Sequence, residues 1–266
     1  MQLAFTAPFL LIWRHRRLLL GTTLSELRGT YAGSVLGMAW VVVGPLMLLA
    51  IYGAVYAVIF QIRVVDLSVA EYVLLVFSGL VPFLTFATSL TAGSLSISNN
   101  RDLLFNTVFP VELISVREIL VASANLPVGI LILLVGDFIF GSPTIELIGV
   151  PFVVLLQTMF VVGICWIISY VALVTKDIQQ ILVYLTIILL VVTPIAYTPE
   201  MVPANLKVLM TVNPLYYFVT SYQYLIVLDA RPPLDVMIGT VALASGAFVG
   251  GYILSSRLKQ GLLDFA

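Results

Sequence analysis

The sequence predicts an all-α membrane protein with six transmembrane helices. Its composition is the first observation behind this prediction: hydrophobic residues make up 61% of the chain and charged residues 9%, whereas soluble domains carry roughly 25% charged residues. So few charges could not cover a surface that faces water, and most of the surface must therefore face lipid or other protein. The net charge of −1 excludes a general nucleic-acid binder, which needs a basic face.

Long apolar stretches are the second observation. A helix needs about 20 mostly apolar residues to cross the hydrocarbon core. We predict six spans, at residues 34–60, 72–95, 119–140, 147–173, 180–197 and 234–254. Proline falls inside several of them, at Pro45, Pro82, Pro127 and Pro194. Because proline removes a backbone hydrogen bond, we expect kinks or broken helices at these positions.

The basic residues predict the orientation in the membrane. With both termini in the cytoplasm, nine lysines and arginines fall in segments on the inner side and three on the outer side. Cytoplasmic loops of membrane proteins carry such an excess of positive charge. We therefore predict a multi-pass membrane protein with both termini in the cytoplasm and a short cytoplasmic tail at residues 255–266.

The N-terminal segment, residues 1–33, precedes the first span and is amphipathic over residues 8–31. Apolar side chains such as Trp13 and Leu24 fall on one helical face, and basic ones on the other. This pattern predicts an interfacial helix whose arginines face anionic lipid headgroups. These arginines are Arg14, Arg16, Arg17 and Arg28. The alternative is an ordinary basic flank with no special role.

The inner loop at residues 96–118 contains an unusual apolar stretch. A polar cluster at residues 96–100, suited to capping a helix, is followed by leucines and phenylalanines that are costly to leave in water. A short helix here would fit a groove on a partner protein. The alternative is that it packs against the ends of the protein's own helices.

The outer segment at residues 199–233 carries five prolines around two apolar stretches, residues 206–212 and 215–228. Both are too short to span the membrane. We predict a re-entrant pair of half-helices, because broken backbone at membrane depth is tolerated only where it is buried in protein or lines a cavity.

Several kinds of chemistry lack their residues in this chain. None of the three lysines follows a glycine, so no nucleotide-binding P-loop is present. His15 and Cys165 are the only histidine and cysteine, too few for a usual zinc site. Asp137 alone lies clearly inside a predicted span, and near the end of that span an interfacial carboxylate is the plain interpretation.

Four motifs follow one another along the chain. They are residues 27–40 (LRGTYAGSVLGMAW) before Pro45, residues 100–112 with Phe109-Pro110-x-Glu112, residues 193–197 (TPIAY), and residues 213–215 (NPL). In this order they resemble the ABC-2 type permease subunits of bacterial ABC exporters for O-antigen, capsule or teichoic acid chains. Many members have Leu-Pro where this chain has Ile114-Ser115, which leaves the choice among these substrates open.

The resemblance implies a half-transporter of the ABC-2 fold. Two copies of the chain would form a channel for a lipid-linked polysaccharide, and two copies of a separate ATPase subunit would bind ATP and Mg²⁺; a periplasmic export adaptor is a further partner of such systems. No cofactor or metal is expected in this chain. The family's coupling helix, which contacts the ATPase, corresponds to Arg101, Asp102, Leu103, Leu104, Phe105, Asn106, Phe109, Pro110 and Glu112.

Aromatic side chains are candidates for the channel lining, because sugar rings pack their C–H faces on aromatic rings. The candidates are Trp40, Tyr52, Tyr56, Phe60, Tyr184, Tyr197, Tyr216 and Tyr217. The alternative is that those near span ends are interfacial anchors.

Two other functions are kept as alternatives. One is an ABC-2 permease for a small lipid or drug, which would need fewer aromatic rings along its pathway. The other is a membrane-embedded transferase acting on lipid-linked sugars, for which Asp102, Glu112 and Glu118 are the only clustered acids on the inner side.

Overall fold

The computed structural model describes residues 2–55, 67–100, 109–197 and 207–263. Throughout these ranges the regular elements are helical, as the sequence predicts. In chain order they are α1 (Gln2–Arg14), α2 (Arg16–Thr30), α3 (Trp40–Ala54), α4 (Val69–Asn99), α5 (Val111–Ala122), α6 (Asn125–Phe140), α7 (Val150–Val174), α8 (Ile178–Val192), α9 (Lys207–Val212), α10 (Pro214–Ile226) and α11 (Leu234–Leu263). Short 3₁₀ turns, Gly37–Ala39 and Ile145–Gly149, lead into α3 and α7.

Among the described residues, five helical stretches are long and apolar enough to cross a membrane, which makes the chain a multi-pass membrane protein. They are Gly37–Ala54, Val69–Asn99, Val111–Phe140, Ile145–Val174 and Leu234–Leu258. The stretch predicted at residues 180–197 forms the 15-residue helix α8 instead. At 1.5 Å per residue, α8 is about 22 Å long, shorter than the about 30 Å of the hydrocarbon core.

Prolines explain where two helices stop. Pro127 cannot donate a backbone hydrogen bond to the carbonyl of Ser123, four residues earlier, and α5 and α6 are separated at Ser123 and Ala124. Residues before a proline avoid the helical region, and α8 accordingly ends two residues before Pro194. Pro45 and Pro82, by contrast, lie inside continuous helices.

Helix α4 is the centre of the fold. Its N-terminus is closed by a capping box, in which the Ser68 hydroxyl accepts from the Glu71 amide at 3.2 Å and the Glu71 carboxylate accepts from the Ser68 amide at 2.7 Å. Most of its side chains are buried against α5, α6, α7 and α10. Within this packing the Gln157 amide of α7 donates to the carbonyl of Pro82 at 2.8 Å.

Helices α7 and α11 form the most extensive pair, and small residues let their backbones touch. A Cβ atom placed on Gly163 would lie 2.2 Å from the carbonyl carbon of Ala247, and one on Gly251 would lie 2.1 Å from the carbonyl oxygen of Gly163. Such small-residue contacts are typical of helices that associate in lipid. Cys165, two residues from Gly163, is fully buried against α4, with its sulfur 3.6 Å from the carbonyl oxygen of Leu90.

The N-terminal segment forms two helices, α1 and α2, instead of the one amphipathic helix predicted at residues 8–31, with a break at His15. Helix α1 packs on α11, where the rings of Phe9 and Phe248 lie 4.9 Å apart, and α2 packs on α5. Both contacts hold the N-terminal helices against the bundle, while Arg14, Arg16 and Arg17 stay exposed at their junction.

The segment predicted to form half-helices, residues 199–233, contains two short helices, α9 and α10. Residues 198–206 fall outside the described residues. Helix α11 continues to Leu263, so the segment predicted as a tail is mostly a continuation of the last helix.

We predict that Gly163→Ala destabilises the protein, because the added methyl group would meet the backbone of α11 and force α7 and α11 apart. Overpacking of this kind costs about 1–3 kcal/mol. The measurement is the Tm of the purified chain in detergent. Gly250→Ala is the matched control: nothing lies within 4 Å of its added Cβ, so its Tm should stay the same or rise. Equal Tm values for both variants would contradict the close contact.

Candidate functional site

The segment predicted to couple to an ATPase lies only partly in the described structure. Arg101, Asp102, Leu103, Leu104, Phe105 and Asn106 are outside the described residues, whereas Phe109, Pro110 and Glu112 are described. Pro110 is the N-cap residue of α5. Glu112 is buried, and its backbone carbonyl accepts a hydrogen bond from the Trp166 indole at 2.8 Å. The start of α5 is therefore fixed to α7.

A polar cluster joins the two ends of this segment. It consists of Asn100 at the end of α4 and Arg117 and Glu118 on α5. The Arg117 guanidinium donates to the Asn100 side-chain oxygen at 2.6 Å and to the Glu118 carboxylate at 2.5 Å. The Asn100 amide also donates to Glu118, at 3.2 Å. We call these three residues the inner clasp.

The inner clasp is shielded from solvent and reaches a third helix. The Arg117 side chain is 7% exposed, and its guanidinium lies 3.9 Å from the carboxylate of Glu26 on α2. One turn deeper, the hydroxyls of Ser96 and Ser115 lie 2.7 Å apart and join α4 to α5 again. Buried charges of this kind need partners with good geometry, because an unpaired one is costly. The clasp therefore holds α2, α4 and α5 in one arrangement.

Sequence reasoning missed the inner clasp. It counted Arg117 only as a positive charge on the inner side and Glu118 only as a possible catalytic acid. The signal that could have found them is an adjacent Arg-Glu pair within the apolar helix α5, where both charges must be compensated.

A second polar arrangement holds the C-terminal end of α8. The Asn213 amide donates to the Thr193 hydroxyl at 2.7 Å, and its oxygen accepts from the Leu215 amide at 2.9 Å, which caps α10. Two of the motifs that suggested the family, residues 193–197 and 213–215, are thus in direct contact. We call residues 193–197 the outer turn, after the side predicted from the sequence.

The carbonyl groups of the outer turn also have partners. The Gln223 amide donates to the carbonyls of Pro194 and Ile195 at 3.1 and 3.3 Å, and the Tyr72 hydroxyl donates to that of Ala196 at 2.8 Å. The Tyr197 hydroxyl donates to the carbonyls of Val191 and Val192, at the C-terminus of α8. These donors compensate for the helix that Pro194 interrupts.

The predicted channel residues lie in different places. Trp40 begins α3, is partly exposed and donates to the Ser34 hydroxyl, whereas Tyr52 packs against the core. Tyr184 is 65% exposed on α8, and Tyr197 belongs to the outer turn. Tyr216 and Tyr217 contact each other on α10 with ring centroids 5.2 Å apart; Tyr56 and Phe60 lie outside the described residues. Their role in substrate passage stays a prediction.

The arginines predicted to face lipid headgroups are all exposed: Arg14, Arg16, Arg17 and Arg28. The Arg16 guanidinium lies over the Trp13 ring, 4.3 Å from its centroid, and donates to the Trp13 carbonyl at 2.8 Å. This contact combines a cation–π interaction with a hydrogen bond at the junction of α1 and α2.

In the part of the chain that the structure describes, no three His, Cys, Asp or Glu residues are grouped so as to hold a metal ion. Asp137 lies about one turn before the end of α6 and is 1% exposed, so its side chain is buried within the protein.

Curated relatives cover most or nearly all of the chain. An O-antigen export system permease protein RfbA of Myxococcus xanthus is 25% identical over 258 residues, 96% of each chain. Two proteins of the same name from Klebsiella pneumoniae are 26% and 27% identical over 77% and 78% of this chain, and over 78% and 79% of their own lengths. No family model matches the chain. The relatives confirm the resemblance to permease subunits of polysaccharide export systems.

We predict that Arg117→Met lowers the Tm, because it leaves the Asn100 oxygen without a donor and the Glu118 carboxylate with only the neutral Asn100 amide as its partner. An unsatisfied buried group costs about 1–3 kcal/mol. Adding Glu118→Gln removes the remaining charge, so the double variant should recover part of the loss. Thermal unfolding of the wild type, both single variants and the double variant in detergent makes this comparison. A double variant as unstable as the sum of both single variants would show that the two side chains act independently.

We predict that Asn213→Ala loosens the outer turn, because it removes the cap of α10 and the donor to Thr193 together. Loss of the cap alone costs about 1 kcal/mol. The expected result is a lower Tm and faster proteolysis between α8 and α10. Thr211→Ala is the control, since the exposed Thr211 hydroxyl bonds only the carbonyl of Val208 in its own helix. A control variant that is cleaved as fast as Asn213→Ala would count against the proposed role.

Proposed function

We propose that this chain is the permease subunit of an ATP-driven ABC exporter that moves a lipid-linked polysaccharide from the cytoplasm across the bacterial inner membrane. The observation that carries the proposal is similarity over 96% of the chain to an O-antigen export permease, together with a bundle of long apolar helices. In such a system the polysaccharide is of the capsule or O-antigen type.

The proposed topology has six passes with both termini in the cytoplasm. Five passes are formed by α3, α4, α5 with α6, α7 and α11. The remaining pass, fifth in chain order, is formed by α8 together with the outer turn, residues 193–197. The distribution of basic residues supports this orientation. In this arrangement α9 and α10 are half-helices that re-enter the outer leaflet, where Gln223 of α10 donates to the free carbonyls of the outer turn.

The proposed ATPase partner, present in two copies, supplies ATP and Mg²⁺ and contacts the segment from Arg101 to Phe109. Support comes from the residues that flank this segment. The inner clasp joins Asn100, which precedes the segment, to α5, which follows it, and the Trp166 indole holds the start of α5. A displacement of the segment would therefore move α4 and α5 together. The same clasp would carry the displacement to α2 through Glu26.

The proposed channel forms between two copies of the chain. Helices α3 and α8 have few buried residues, and α8 exposes Ile181, Tyr184, Ile188 and Val191 along one helical face. A second copy packed on this side would bring the Tyr184 rings of both chains near the interface. Sugar rings could then move along aromatic faces such as Trp40 and Tyr184.

The proposed role of Arg14, Arg16, Arg17 and Arg28 is to hold α1 and α2 at the inner leaflet, where a lipid-linked substrate would approach. Their exposure supports this role, because each arginine near an anionic membrane surface contributes about 1 kcal/mol of attraction.

We predict that Phe105→Asp abolishes polysaccharide export, because a charge in the apolar coupling segment prevents contact with the ATPase. The measurement combines co-purification with a candidate ATPase subunit and surface display of the polysaccharide in a deletion strain. Val174→Asp is the matched control: Val174 is 90% exposed at the inner end of α7, and its variant should retain both.

The outcomes separate the coupling role from the function itself. Export that persists in Phe105→Asp would contradict the coupling segment. If the deletion strain displays its polysaccharide normally but fails to move a small lipid or a drug, the substrate is that lipid or drug and not the polysaccharide.

A further inference from the structure

A large apolar cavity lies between α1, α5, α7 and α11. Its volume is about 750 Å³, and its walls include Phe9 and Trp13 from α1, Val116 from α5, Leu155 and Met159 from α7, and Phe248 from α11. Of the described residues that line it, only Thr6 and Thr158 are polar, and the Thr158 hydroxyl donates to the carbonyl of Val154 in its own helix. A cavity with so few polar groups suits a hydrocarbon chain and not a sugar or a nucleotide.

The cavity begins beside the basic cluster. Trp13 and Leu19, which both line it, bracket Arg14, Arg16 and Arg17 in the sequence. The Arg16 guanidinium covers the ring of Trp13 at 4.3 Å. All three arginines are exposed. At least one guanidinium, that of Arg16, thus lies against the wall of the cavity, with Arg14 and Arg17 next to it in the sequence. Positive charge at this place is complementary to an anionic headgroup.

The cavity extends along the helix axes. Its lining residues on α7, Leu155 to Val162, alone cover about 10 Å of helix rise. An extended acyl chain would fit along such a wall.

We propose that this cavity binds one acyl chain of an anionic phospholipid of the inner leaflet, with the headgroup phosphate at Arg14, Arg16 and Arg17. The lipid fills the space between α1 and the bundle, where the Phe9–Phe248 contact is the direct aromatic link between α1 and α11. It is a resident lipid and not the exported one, so the proposal does not depend on the exported substrate.

The test uses the full chain, produced in cells that make no lipid-linked polysaccharide and purified in mild detergent. Native mass spectrometry measures the lipid retained after reconstitution into vesicles of equal parts phosphatidylglycerol and phosphatidylethanolamine. We expect about one phosphatidylglycerol per chain. Thr158→Phe, which places a ring inside the cavity, should retain less of this lipid. Thr91→Phe is the matched control, because Thr91 is an exposed threonine on α4 whose hydroxyl also bonds its own helix.

A triple variant tests the headgroup. Arg14→Gln, Arg16→Gln and Arg17→Gln together should leave a bound lipid but remove its preference for phosphatidylglycerol, by about fivefold for each arginine near the surface. Equal lipid retention by the wild type and Thr158→Phe would overturn the proposal. If the wild-type chain retains phosphatidylglycerol and phosphatidylethanolamine in the same ratio as in the vesicles, the cavity does not select an anionic phospholipid and the proposal is overturned. Retention of an isoprenoid lipid instead would overturn it as well.

Discussion

The absence of water in the hydrocarbon core governs this structure, because every backbone amide and carbonyl there needs a partner within the protein. Helices meet the requirement by themselves, and each place where a helix breaks needs help from side chains. Between α8 and α10 that help comes from Asn213, Gln223 and Tyr72, which together bind the carbonyls and the hydroxyl of the outer turn. The same rule explains why small residues, not polar ones, lie where α7 and α11 touch.

Helix α4 connects the two polar arrangements. Tyr72 near its N-terminus holds the outer turn, and Asn100 at its C-terminus belongs to the inner clasp. Between them lie 27 residues of mostly buried helix, packed on α5, α6, α7 and α10. A closely packed helix transmits displacement along its length more readily than it bends. In the proposed exporter, this geometry would let a force at the inner surface act on the outer turn without rearranging the core.

Hydropathy predicted the apolar spans well where each consists of one long uninterrupted helix, as for α4 and α7. It overestimated the length of α8, because the apolar sequence continues past Val192 whereas Pro194 ends the helix. Hydrogen bonds from distant residues stabilise the turn that follows. The inner clasp was not predicted because it depends on Asn100, Arg117 and Glu118 meeting in space, and Glu26 joins them from far away in the sequence. The break at His15, which separates α1 from α2, has no comparable signal in the sequence.

The burial of Cys165 has a practical consequence. It is the only cysteine of the chain, is 0% exposed and lies with its sulfur against the backbone of α4. Water-soluble maleimides should therefore find almost no reactive thiol in the native protein. The natural sequence thus serves as its own cysteine-free background, in which single thiols introduced along α3 and α8 would report which faces are reached from the cytoplasm, from the outside, or from neither.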